Sequence, residues 1–496
     1  MATPAFNGSC FRPVFLGICA AVSGAFCLGM AACGEKSGAP ASSPSDGMTD
    51  AGSAGALASA GTSSVGGMTP GTVGGSATTT GGVSSAGTAT GGAGGTSAGG
   101  TSNGGSASAG AAQGGSGAFD GTAQRPQLPA ASADNYTVLK YLEKTGAVAA
   151  PQTDAWDPTA GVGDVATLTA KYKVAASGGT DTTIQSAIDK AVAAGGTDRV
   201  AIEVADGTYR EVVCVPTGAP PITLFSKNSD ASATRIVFDN YAGKAKEAQT
   251  PANPCNPALG AVTYGTSGSP TFAAYANGFY AKNLTFENDI DETGLSGSVQ
   301  AVALVTQGDK QIYENVRLLG NQDTFFVKSA NADVIARVYV TKSFIQGDTD
   351  FVFGRGTLVI DQSEIHFIST RQGSKGYAIV PSTDARNPYG ILVYKSQFTA
   401  DAATTNGSIN LGRAWDESGK DLATYAAQAM TGVYPNGQAL IRECTLGAHI
   451  AAAPWAEAAT TKRPFSAVAG AYPANRLFEL KNTGPGAATT PIGALK

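Results

Sequence analysis

The chain has 496 residues, of which 65 are glycine, with a formal net charge of −5 and a pI near 5.2. No basic stripe is present to neutralise phosphates, which excludes a nucleic-acid binder. Removing a low-complexity first quarter leaves about 370 residues, enough to bury one large core.

The N-terminus reads as a targeting segment. Arg12 precedes an apolar run over 14–30, which meets Met30-Ala31-Ala32-Cys33. Small residues directly before a cysteine are similar to the lipobox of bacterial lipoproteins, in which that cysteine is acylated. The alternative is an ordinary cleaved signal peptide. The expectation is a lipoprotein-type leader over 1–33 with Cys33 as the lipid site, and Gly34 fits outer-membrane sorting. The protein is then exported, held at the cell surface by lipid or otherwise secreted. Nothing downstream is apolar for long enough to span a bilayer as a helix. Residues 34–125 are nearly all Gly, Ser, Ala and Thr, too poor in large apolar groups to offset chain entropy, and are expected to be a flexible linker.

Residues 126–164 read as a polar, weakly structured lead-in to a body over 165–496. Apolar spacing at i, i+3 and i+4 over 183–194 predicts a short helix, and 200–204 a buried strand. From there the chain is short β-branched and aromatic runs separated by Gly, Asn and Asp. A loose echo recurs: Lys282-Asn283-Leu284-Thr285-Phe286, Glu314-Asn315-Val316-Arg317-Leu318, Lys342-Ser343-Phe344-Ile345, Gln362-Ser363-Glu364-Ile365, Lys395-Ser396-Gln397-Phe398 and Glu443-Cys444-Thr445-Leu446. Its anchors are 32, 28, 20, 33 and 48 residues apart. Irregular strand repeats of this length, with no helix between them, predict a right-handed parallel β-helix. A β-sandwich is the rival, but it leaves the echo unexplained.

Two Asp-centred clusters stand out, Gln322-Asp323-Thr324-Phe325 and Asp350-Phe351-Val352-Phe353-Gly354, each after a short apolar strand. A single such Asp is most often a turn former. Here Asp323 lies eight residues past Asn315 and Asp350 seven past Ser343, so a coiled sheet stacks them about 4.8 Å apart. Two carboxylates that close cannot both ionise easily; one pKa rises while the other stays low. An acid-plus-nucleophile mechanism needs that arrangement.

Other chemistry is sparse. Cys214, Cys255 and Cys444 show no metal-ligand spacing; Cys214 and Cys255 are a candidate disulfide, and Cys444 is expected to be buried. His366 sits in a strand and reads as structural. The two G-x-S-x-G matches, at 95–99 and 100–104, lie inside the linker and are compositional. No phosphate loop, dinucleotide fingerprint or metal motif appears. Leu411-Gly412-Arg413-Ala414-Trp415 pairs a cation with a flat apolar platform, which is either a surface stack or a carboxylate and sugar site. Gln300 offers a neutral amide before a buried strand, or only a solvated strand start.

Together these residues resemble the pectinesterase (pectin methylesterase) family of carbohydrate esterases. The motifs run in family order over about 165–487: Gly207-x-Tyr209-x-Glu211, Gln300-Ala301-Val302-Ala303-Leu304, Gln322-Asp323-Thr324, Asp350-Phe351-Val352-Phe353-Gly354 and Leu411-Gly412-Arg413-Ala414-Trp415. Phe478-Glu479-Leu480 and Asn482-Thr483-Gly484-Pro485-Gly486-Ala487 are similar to its closing motif. The resemblance implies a right-handed parallel β-helix that hydrolyses methyl esters of galacturonate in pectin. It implies Asp350 as nucleophile, Asp323 as general acid and base, and Gln300 and Gln322 as oxyanion donors. Arg413 would orient Asp350, while Trp415 and Phe353 would contact sugar rings. No metal or organic cofactor is called for, and a monomer acting on pectin or its oligomers is expected. Ala414 stands where the family usually has Pro, and Asp416-Glu417-Ser418 departs from familiar members. A lyase or glycosidase on the same fold, a surface carbohydrate binder and an esterase for another ester are the competing readings.

Overall fold

The computed structural model describes residues 124–247, 253–256, 261–371, 373 and 375–488. The leader with Cys33 and the linker as far as residue 123 lie outside the described residues.

The body is the expected right-handed parallel β-helix, three strands to a turn. One turn is Arg337–Thr341, Phe344–Gly347 and Thr349–Gly354; the next is Thr357–Asp361, Glu364–Phe367 and Tyr377–Pro381. Each strand pairs in parallel with its equivalent on the neighbouring turn. The long strands Tyr280–Asn288 and Gln311–Leu319 run round a corner and so join the first two faces into one sheet. The third face is a separate sheet of eight strands, from Val213–Val215 to Trp455–Ala456.

The echo marks that corner. Asn283, Asn315, Lys342, Gln362, Lys395, Glu443 and Lys481 all have left-handed backbones, with φ between 46° and 59°. The side chains beside them form a ladder. Asn315 Nδ2 donates to Asn283 Oδ1 at 2.8 Å, and the backbone amides of Val316, Ser343 and Ser363 donate to Ser343, Ser363 and Ser396 Oγ at 3.0–3.1 Å. The ladder satisfies backbone groups that a sharp bend removes from the sheet. It also corrects the register by one residue, because the equivalent of Asn315 is Lys342 rather than Ser343. Asp323 and Asp350 therefore both lie eight residues past their corner.

Alternate residues of the three faces fill the interior with one continuous apolar column, including Leu284, Phe286, Tyr313, Phe325, Val352 and Ile379. The predicted helix, Ile184–Ala194, closes its N-terminal end through Ile184, Ala187, Ile188 and Ala191. Glu211 of the Gly207-x-Tyr209-x-Glu211 motif accepts from the backbone amides of Ile184 and Gln185, at 2.8 and 3.0 Å. A carboxylate there satisfies orphan amides and complements the helix dipole. That motif is structural.

The lead-in is not the weakly structured segment expected. Val138–Leu142 is a helix, Lys144–Ala147 and Ala150–Thr153 form a hairpin, and the hairpin pairs with Val334–Ile335. Leu128, Tyr141 and Leu142 bury against Tyr339, Val359, Leu392 and Leu440 on the outer side of the first face. Hydrophobic cover for that outer row outweighs the polar composition of the segment. Arg125, placed in the linker by composition, donates to both carboxylate oxygens of Glu479 in the closing motif, at 2.7 and 3.0 Å. Cys214 and Cys255 form a disulfide and Cys444 is buried. His366 is held by Thr399 at 2.8 Å, as a structural histidine should be.

Candidate active site

Five successive turns of the third face carry the candidate residues. Gln300 precedes Leu304–Thr306, and Gln322 and Asp323 precede Phe325–Val327. Asp350 lies in Thr349–Gly354, Tyr377 begins the next strand, and Arg413 ends Asn410–Arg413. Phe325 pairs with Val352 and Phe326 with Phe353. The same register sets Asp323 opposite Asp350, with the Asp323 amide donating to Thr349 O at 3.0 Å.

Both aspartates have left-handed backbones, φ 66° and 51°, a conformation that Asp tolerates better than most residues. At Asp350 the register with the following strand shifts between Thr349 and Val352. Such a bulge re-aims side chains, so Phe351 and Val352 turn into the core and Asp350 does not. Gly354 ends the strand at φ 124°, where a Cβ would sit 2.1 Å from Val327 O. No other residue fits this approach.

The two carboxylates have opposite surroundings. Arg413 donates from Nε to Asp350 Oδ1 at 2.9 Å and from Nη2 to Oδ2 at 2.7 Å. It reaches back across the intervening turn with its guanidinium 3.8 Å from the Tyr377 ring centroid. Asp323 is fully buried, and neither of its oxygens has a hydrogen-bond partner. Burial raises its pKa well above the ordinary carboxylate value, the charge of Asp350 adds to the rise, and Arg413 opposes it. The site thus pairs a carboxyl forked by arginine with one whose surroundings favour its acid form.

Gln300 and Gln322 lie on adjacent turns, with the Ala301 amide donating to Gln322 O at 3.2 Å. Both side chains are nearly buried, and Gln300 Oε1 has no partner. Phe353, expected to contact a sugar ring, is covered by its own neighbours. It is fully buried, stacked on Phe326 at 4.2 Å and 15°, with Trp415 at 5.7 Å from it. Pairing brings the two phenylalanines side by side, and their mutual stacking removes both from solvent. Trp415 keeps only 5% of its surface exposed.

Two groups were not anticipated from the sequence. Asp348 is gripped by Arg371, at 2.9 and 2.6 Å; its place two residues before Asp350 was the available signal. Asp416, next to Trp415, pairs with Arg463 at 3.0 and 2.8 Å and accepts from Thr461 at 2.6 Å, all fully or nearly buried. The departure at 416 thus anchors the loop that carries Trp415. Among the described residues no group of His, Cys, Asp and Glu is arranged to hold a metal.

A sequence model of the pectinesterase family matches residues 171–437. The chain belongs to the pectinesterase family. A pectinesterase of Ralstonia nicotianae is 45% identical over 385 residues, covering 74% of this chain and 93% of that protein. Pectinesterase B of Dickeya dadantii is 37% identical, covering 70% and 85%. The solved structure of the rice weevil pectin methyl esterase superposes with a TM-score of 0.62 at 31% identity, covering 75% of this chain and all of that one. As a pectinesterase the protein is a carboxylic ester hydrolase, and the aspartate pair lies within the matched span.

Proposed function

We propose that the protein hydrolyses methyl esters of galacturonate units in pectin, giving pectate and methanol through a covalent aspartyl intermediate. The observation that carries this reading is the asymmetry of the pair: Asp350 is forked by Arg413, while Asp323 is buried and unpartnered, with its pKa pushed up by that burial. Asp350 attacks the ester carbonyl carbon. The resulting oxyanion takes hydrogen bonds from the side-chain amides of Gln300 and Gln322, which stabilise charge without quenching the nucleophile. The C–O bond to methoxide breaks as Asp323 gives its proton, methanol departs, and an acid anhydride joins substrate and Asp350. Asp323, now a carboxylate, takes a proton from water. That water attacks the galacturonate carbonyl, freeing the acid and restoring Asp350.

Trp415 supplies the apolar edge for a sugar ring, with Phe326 and Phe353 as its support. The N-terminal segment 1–33 and the long linker support export, with attachment through a lipid on Cys33; the mass of the mature N-terminal peptide tests this. The catalytic reading is tested by methanol release from highly methylated polygalacturonate together with an assay for new reducing ends and unsaturated products. The expected result is methanol with neither of the others. Chain scission without methanol contradicts the reading.

A further inference from the structure

A second charged cluster lies beside the aspartate pair. Arg371 Nε is 2.9 Å from Asp348 Oδ2 and also 2.9 Å from Glu292 Oε2. Asp348 receives two directed hydrogen bonds from the guanidinium, at 2.9 and 2.6 Å. Glu292 is in ionic contact with the same guanidinium, and both of its oxygens are buried beside the Asn321 side chain. One guanidinium thus serves two carboxylates, so with all three ionised the cluster carries a surplus negative charge in a largely buried place. Like charges under low dielectric favour protonating one of them.

The cluster is tied to the chemistry through the backbone. Asp348 lies two residues before Asp350, and its amide donates to Asn321 O at 3.0 Å, directly before Gln322 and Asp323. Arg371 Nη2 also reaches Thr349 Oγ1 at 3.4 Å. The buried Asp323 carboxyl feels the charges of both Arg371 and Asp348. Glu292 itself sits on the connection between Tyr280–Asn288 and Leu304–Thr306, the same connection that delivers Gln300.

We propose that Glu292 is a positioning residue for the ester hydrolysis, acting through Arg371 and Asp348 on the placement and charge of the Asp323–Asp350 pair. The proposal rests on the esterase reading given above. Protonated Glu292 gives up its share of Arg371 and strengthens the hold on Asp348, which fixes the start of the nucleophile's strand. Ionised Glu292 competes for the same guanidinium and loosens that hold. The groups that face Glu292 are Arg371, Asp348, the Asn321 side chain and Asp291. Burial pushes its carboxyl up to about 7, Arg371 pulls the other way, and Asp348 and Asp291 add to the rise. The change between the two states therefore falls near neutral pH.

The test is the pH profile of kcat/KM for methanol release by the full chain, from about pH 5 to 9. The parent should show an inflection near 7. Glu292→Gln, neutral and isosteric, should follow the parent's acid limb and lose that inflection. Asp348→Asn leaves Arg371 to Glu292 alone and should move the inflection to more acid pH. A readout without turnover is Tm against pH. A carboxyl raised in the folded state contributes stability below its unfolded pKa and loses it as pH rises, here from the ordinary 4.5 to about 7. Glu292→Gln should reduce that fall, leaving the part that Asp323 contributes. An inflection unchanged in both variants, or a Glu292→Gln chain whose Tm follows pH as the parent's does, overturns the proposal. A parent that releases no methanol at any pH sinks the esterase reading and this role with it, even where the Tm comparison still shows the cluster titrating.

Discussion

Asp323 and Asp350 hold the same position on neighbouring turns of the β-helix, and both have left-handed backbones, yet only Asp350 is forked by an arginine. Equivalent positions with unequal partners divide one motif into two roles. Register supplies proximity, and Arg413 supplies the difference.

Asp323→Asn should abolish turnover and also flatten the pH dependence of stability. The Asp323 carboxyl is raised first by burial and then by Asp350. The folded state therefore keeps a proton that the unfolded chain loses above its ordinary value of 3.8. Stability is fully present below that value and declines as pH rises toward the folded pKa. Thermal melts of parent and variant across pH 4 to 8 check this: the parent's Tm should fall over the range by more than the variant's. An equal fall in both contradicts it.

Arg413→Lys keeps a positive charge but loses the planar fork. The nucleophile is then free to turn, and kcat should drop roughly 100-fold, the scale of a misplacement near 1 Å. Arg413→Ala leaves Asp350 buried and uncompensated, a loss of about 3–5 kcal/mol. Urea denaturation and methanol release, measured together, separate the two effects.

Phe353→Ala should act mainly on the fold. The ring is fully buried between Phe326 and Trp415, and its removal should cost about 3–5 kcal/mol in a denaturation curve. Trp415→Ala, by contrast, should show chiefly as a raised KM for pectin. The reverse pattern would return Phe353 to the sugar-facing role first expected of it.

Much of this arrangement was legible in the sequence because it is periodic. The corner ladder repeats Asn and Ser at intervals that survive long insertions, and that echo was enough to put Asp323 and Asp350 on adjacent turns. Its register was one residue off because left-handed φ falls on Asn in two turns and on Lys, Gln or Glu in the others, a backbone property that composition does not reveal. The cover over Phe353 was hidden for a related reason: strand alternation shows that the ring points outward, but not that Phe326 and Trp415 pack on it. The lead-in was misjudged because its few apolar residues, Leu128, Tyr141 and Leu142, are spaced to meet a distant surface rather than one another. Arg371 and Glu292 lie on connections between strands, where no period exists to place them.

The most direct test of the account is methanol release from highly methylated pectin by the parent chain and by Asp350→Ala, with both proteins shown to be folded. Sustained release by the parent and none above background by the variant is the expected result. A folded Asp350→Ala protein that releases methanol at the parent's rate would contradict it.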